Sequence, residues 1–554
     1  MHSRLARAGW LCAWLGAITV SIASATYPPQ SPATESDSNT EAASAYEQGM
    51  KLLRAGQYSQ ALEQFRRTED LAPKLPNGAT GEGIALALMG KPDEAVAALQ
   101  RALALDPQYW VARRELGIVY WEQHLGDQAA EQLRPILRLF PDDAAANAIV
   151  GQYEFQQKHY QEALALFAKL PNLDAQPPIA LMHAEALLST GKETEAAEAL
   201  KRLMGRPDLT ANQEFLLGWL LGRARLYAEA IEVLKLTPKN SPNLFSHQYG
   251  LALAYFLAGK TQDAIVVLSE LAQGGEKRPD LFALLGTAYE KNGNLLEAYN
   301  AFRQGILNNP DDSVNYLDIA SLAAQHRNYD LAAELLTQGV QRIHDDYRLY
   351  LSRGLVFSLE RKLVEAHSDY LKASALAPQE PQVALALGLN YVDLDQVDEA
   401  VAIFQHTAEL HMQDSRPYYF LEQALLRKGV RPWSPEFTRA ADAIASALAI
   451  DPNFVWGWVE RSRLTSMQGN NQEALADLQR AQQLEPASGI IKYRLAQTYQ
   501  KLGDEAKAKE LFAAAEKSIH EEAERVQQKN MLTIMATTTS RAGQSFDDRL
   551  GGSQ

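Results

Sequence analysis

Cysteine is all but missing from this chain: one occurs in 554 residues, at Cys12. A disulfide framework and a cysteine-ligated zinc site are excluded with it. An excess of positive charge is missing too, since 53 Lys and Arg stand against 68 Asp and Glu, a formal net charge of −15. Without a basic stripe, that balance argues against a nucleic-acid reader. Beyond the N-terminus no segment is long and apolar enough for the roughly 18 residues a membrane-spanning helix requires. Motifs that carry chemistry are absent as well: there is no nucleophile elbow, phosphate loop or zinc spacing. The nearest pair of histidines, His406 and His411, is five residues apart, so the rings would not share a helix face for a metal. No catalytic residue, metal ligand or cofactor site is assigned.

What the chain does have is a grid of alanines. Ala61, Ala95, Ala129, Ala163, Ala196, Ala230, Ala264, Ala298, Ala332, Ala366, Ala400, Ala440, Ala474 and Ala508 follow one another at a step of 34 residues, with one slip and one insertion. A period of this size signals stacked supersecondary units, not a single globular core. Other columns keep the register. A small residue stands twelve places before most of the alanines, as at Gly83, Gly117, Gly151, Ala184, Gly286 and Gly388. A bulky apolar residue stands four places after, as at Phe65, Leu99, Phe167, Phe302 and Phe404, and many units close on proline, as at Pro107, Pro310, Pro452 and Pro486.

These columns describe two antiparallel helices per unit. Glycine inside a helix costs about 1 kcal/mol against alanine, so its return at one helical position needs a close-packed neighbour to offset it. Gly56, Gly90, Gly259 and Gly503 mark the end of the first helix. Proline stops the second, because the residue before it avoids the helical region.

In these features the chain resembles the tetratricopeptide repeat family, whose pattern places small residues at repeat positions 8, 20 and 27 and proline at 32. The second unit carries Gly83, Leu86, Gly90, Ala95, Leu99, Ala102 and Pro107, and the thirteenth carries Trp458, Ala474, Leu478, Ala481 and Pro486. The resemblance implies an all-α, right-handed superhelical solenoid of about fourteen antiparallel helix pairs over residues 42–522. Two departures individualise it. The step from Gly151 to Ala184 is one residue short, near Pro177 and Pro178, which suggests a tightened turn. The twelfth unit carries six extra residues near 429–436, and its position 8 is Glu422, where close packing is doubtful. Trp433 in the insertion reads either as a recognition side chain or as a plug over the neighbouring helices.

The ends differ from the middle. Residues 1–25 have Arg4 and Arg7, an apolar stretch, then Ala23, Ser24 and Ala25, the layout of a signal peptide cleaved after Ala25. An uncleaved N-terminal anchor is the alternative. Residues 26–41 read as a disordered linker, 523–536 as the end of a C-terminal capping helix, and 537–554 as a flexible tail. The expected location is therefore the bacterial periplasm or the exterior, with no stable membrane insertion after cleavage.

Because the repeats take up the chain, function is expected on surface shape. The resemblance implies that positions 2, 5, 9, 12 and 13 of the first helices line a concave groove. They place Trp121, Phe155, Phe215, Trp219, Tyr249, Phe256, Tyr419 and Trp456 there as candidate contacts for a partner protein. No unit carries the Lys and Asn pair of a carboxylate clamp at positions 5 and 9. The expectation is a non-enzymatic interaction scaffold of the cell envelope. Its alternatives are a periplasmic assembly factor of a secretion or polysaccharide-export machine, or a non-catalytic subunit of a glycosyltransferase-type complex.

Overall fold

A computed structural model describes residues 37–236 and 244–516. The signal-peptide region with Cys12, Pro242 and the expected capping helix and tail lie outside the described residues. Among the described residues there are twenty-eight α-helices, one short 3-10 helix, Leu173–Ala175, and no strand. Taken in order they make fourteen pairs, from Asp37–Arg54 with Tyr58–Leu71 to Gly489–Lys501 with Glu505–Glu516. The first helix begins at Asp37, so residues 37–41 are helical and not part of a linker.

The chain divides into two compact units, one ending at Ala258 and the other beginning at Gly259. Nothing in the alanine grid signals this division, since Ala264 keeps the step. In each unit successive helices pack as neighbours, and first helices also touch the first helices of adjoining repeats. Instead of one central core there is a string of them. One runs from Leu53 to Val119, another from Ala298 to Leu387, and a third from Leu385 to Leu464. This is how units that cannot bury their apolar faces alone become stable.

The glycine column is explained by the ring or branch it faces. A Cβ on Gly83 would lie 2.5 Å from Leu99, on Gly117 2.5 Å from Leu133, on Gly151 2.7 Å from Phe167, and on Gly354 2.7 Å from Tyr370. The missing side chain thus makes room for the bulky residue of the second helix, and the alanine column, fully buried from Ala61 to Ala474, lines the same seam. Position 15 closes every first helix in the left-handed region. Glycine stands there in eight repeats, and His124, Lys158, Arg225, Arg327, Arg361 and Asp395 in the other six. The turn geometry is therefore more regular than its sequence.

Of the two irregularities, the first departs from the expected form and the second has a loop as expected. Near Pro177 the missing residue comes out of a helix: Tyr160–Phe167 has only eight residues, and the connection to Pro177–Ser189 is longer, passing through Asn172 at φ 54°. The expected tightened turn is not there. In the twelfth repeat Ser415–Arg427 is followed by a loop and then by Pro435–Ile450, so Pro435 opens a helix.

Candidate functional site

In the first unit, Phe215 and Trp219 project from Ala211–Arg223, and Tyr249 and Phe256 from Leu244–Leu257. They are 7%, 4%, 4% and 5% exposed, so they are core residues. Phe215 packs 4.5 Å from His247 and 6.1 Å from Trp219, while a Cβ on Gly250 would meet Leu234, Trp219 and Phe215 at ordinary contact distance. The expectation that these four form an open aromatic patch is corrected. Phe215 and Trp219 face the adjoining first helix at His247 and Gly250. Trp121 and Phe155 are half-buried, each against a separate core.

In the second unit, Tyr419 and Trp456 are half-buried and lie on adjoining first helices, Ser415–Arg427 and Val455–Met467. The Tyr419 ring packs 5.1 Å from Phe454, which precedes the second of these helices, and its hydroxyl accepts a 2.7 Å bond from Gln423 Nε2. Burial and the carboxyls of Glu460 and Glu422 push the Tyr419 phenol above its ordinary range.

Glu422 has the least expected surroundings. It stands at position 8, where most repeats carry glycine or alanine, yet it is fully buried. Neither carboxyl oxygen has a hydrogen-bond partner among the described residues. Burial first, and the charge of Glu460 second, push its pKa up to about 9, against a smaller opposing effect of Arg463. Glu422 is therefore a neutral carboxylic acid at physiological pH. Glu460 is buried beside it and held by Arg463, Nη1 to Oε2 3.4 Å. A second buried acid, Asp318, behaves alike: burial and then Glu290 raise its pKa well above the usual carboxylate range. The sequence marked Glu422 as a break in the pattern, but Asp318 carried no signal.

Trp433 is 75% exposed at φ 75° and plugs nothing. Ser434 caps the following helix, its hydroxyl accepting from the Phe437 N–H at 3.2 Å, and it is Phe437, 1% exposed, that fills the seam. With the plug supplied by Phe437, Trp433 is left in solvent. Trp433→Ala should change stability by less than about 0.5 kcal/mol, as for an exposed side chain away from packing and caps; urea denaturation checks this, and a larger loss would show that the ring packs in solution.

Tetratricopeptide repeat models match residues 46–109, 86–153, 279–312 and 467–529. The chain contains tetratricopeptide repeats. Human tetratricopeptide repeat protein 16 is 23% identical over 402 residues, 65% of this chain and 45% of its own. Cellulose synthase operon protein C of Pseudomonas fluorescens is 24% identical over 339 residues, 56% of this chain and 26% of its own. The chain thus spans under half the length of the first and about a quarter of the second. Among solved structures, yeast Tom70 is 16% identical, with a TM-score of 0.37 over 90% of this chain and 96% of that one.

Position 8 of the repeats separates structural from individual residues. Glycine or alanine there serves packing in most of them, while Glu422 in the twelfth and Ser462 in the thirteenth depart together. These two repeats carry the chain's individuality, together with the exposed loop of Trp433.

Proposed function

We propose that the chain is a non-catalytic scaffold that holds partner proteins against the first-helix faces of its repeats, in the cell envelope. The observation that carries this reading is the fourteen helix pairs themselves, a repeat fold typical of protein–protein interaction. The layout of residues 1–25 supports the envelope location. The match to the cellulose synthase operon protein favours one narrower reading, an assembly factor of a polysaccharide-export machine.

The test is a photo-crosslinking amino acid placed in cells at Phe155 and Trp456 on first helices, and at the exposed Glu131 and Gln479 on second helices. Adducts should form from the first pair of sites and be few from the second. Equal adducts from both faces, or none from either, would overturn the scaffold reading.

A further inference from the structure

The first-helix face of repeats 12 to 14 has a charge of its own, opposite to that of the chain. Positions 2, 5, 9, 12 and 13 of these three helices hold Arg416, Arg427, Arg463 and Lys501 and no acid. In repeats 8 to 11 the same positions are mixed, with Asp280, Glu290 and Asp393 against Lys291 and Arg348. Two of the four cations of repeats 12 to 14 are paired, Arg416 with Asp414 at 2.6 Å and Arg463 with Glu460 at 3.4 Å, and Glu422 is buried and neutral, so Arg427 and Lys501 carry the charge of this face.

Position 13 puts two of these side chains in a row with a methionine between them. Arg427, Met467 and Lys501 are each the last residue of their helix, in three consecutive repeats. Arg427 Nη1 donates to the Val392 carbonyl at 2.8 Å, and Lys501 Nζ donates to Ser466 Oγ at 2.7 Å, so both cations are anchored by neutral oxygens and keep their charge. Both are exposed, and Met467 between them is 38% exposed. Capping of the helix dipole does not account for the row, since Glu122 and Asp393 end first helices elsewhere. Arg431 and Trp433, exposed on the loop that follows Arg427, extend the same chemistry.

We propose that the row Arg427, Met467, Lys501, with the Trp433 loop beside it, docks an extended acidic segment of a partner protein that places an apolar side chain between two carboxylates. The two cations stand on first helices two repeats apart, and a segment of several extended residues, at about 3.3 Å each, is the kind of ligand that reaches both. A protein segment fits better than a nucleic acid. One strand presents a phosphate roughly every 3.4 Å, whereas this row offers two charges, two repeats apart, on a chain whose net charge is −15. The inference rests on the scaffold reading and names the partner chemistry for one part of it.

The experiment is fluorescence anisotropy on the full chain with three labelled probes: an octapeptide of Asp and Glu carrying one Leu and one Phe, its counterpart with Lys for every acid, and an oligothymidylate of equal charge. The acidic peptide should bind best. Arg427→Gln with Lys501→Gln should weaken it about tenfold and flatten its salt dependence. Arg439→Gln, on the second helix of repeat 12, should leave it unchanged. Preference for the Lys peptide or the oligonucleotide, or equal binding by the double variant, overturns the proposal. If the acidic peptide fails while crosslinks still form from Phe155, this inference falls and the scaffold reading stands; if no crosslinks form at either first-helix site, the scaffold reading falls by itself.

Discussion

Glu422→Gln is expected to stabilise the second unit by about 3 kcal/mol at pH 7, and by almost nothing near pH 4.5. The carboxyl is moved from the usual 4.5 up to about 9 in the folded chain, by burial and then by Glu460. Between these values the folded state holds a proton that the unfolded state has lost. Stability therefore falls as pH rises from about 4.5, by about 1.4 kcal/mol for each pH unit, and levels off above about 9. Glutamine has nearly the same shape and no charge to lose, so the variant escapes this slope. Hydrogen exchange of Ser415–Arg427, followed from pH 5 to pH 9, reads the effect where it originates. Protection in the wild type, corrected for the intrinsic rate, should fall relative to the variant as pH rises. A difference that stays flat would mean that Glu422 is ionised in the fold and has a partner. Glu460→Gln provides a second reading, because removing that charge should lower the Glu422 pKa and end the fall in stability at a lower pH.

The repeat architecture was legible because it depends on spacing. Alanine, glycine and proline return at fixed intervals, and each column corresponds to one backbone event: a seam, a close approach, a stop. The site was less legible, because the sequence gives a position and not an exposure. Trp219 and Trp433 are the same residue type. Trp219 stands at a position expected to face outward and is buried, while Trp433, which reads as either a plug or a recognition side chain, is exposed. What decides each case is a neighbour from elsewhere in the chain. The next first helix packs against Trp219 at Gly250, and Phe437 occupies the seam that Trp433 would have filled. The basic row has the same origin. Arg427, Met467 and Lys501 are 74 residues apart from end to end and become a set only when three helix ends are aligned. The division after Ala258 left no trace in the grid, since Ala264 keeps the step.

Gly151→Ala is expected to cost about 2 kcal/mol, and Phe167→Leu to recover most of that loss. In the fourth repeat a Cβ at position 151 would lie 2.7 and 2.9 Å from two carbons of the Phe167 ring and 3.3 Å from Leu166 Cβ. The ring is fully buried and cannot turn aside without opening a void. Overpacking of this kind costs about 1–3 kcal/mol, and the better helix propensity of alanine returns at most about 1. The chain pairs alanine with leucine in some repeats, although leucine also faces glycine at Gly83, Gly117 and Gly218, where a Cβ would lie 2.5, 2.5 and 2.6 Å from it. Where position 8 is alanine, as at Ala184 and Ala320, the facing residue is leucine, Leu200 and Leu336, each fully buried. Where the facing residue is a buried ring, as at Phe65, Phe302, Tyr370 and Phe404, position 8 is glycine. The last repeat pairs Ala496 with Phe512, and there the ring is only half-buried, turned toward Tyr493 at 5.3 Å. A double-mutant cycle in urea should therefore give a coupling of about 1–2 kcal/mol between positions 151 and 167. Additive losses would show that the glycine column answers to backbone geometry and not to the ring. The four columns would then be independent constraints, and the co-occurrence of glycine with buried rings along the chain would need another cause.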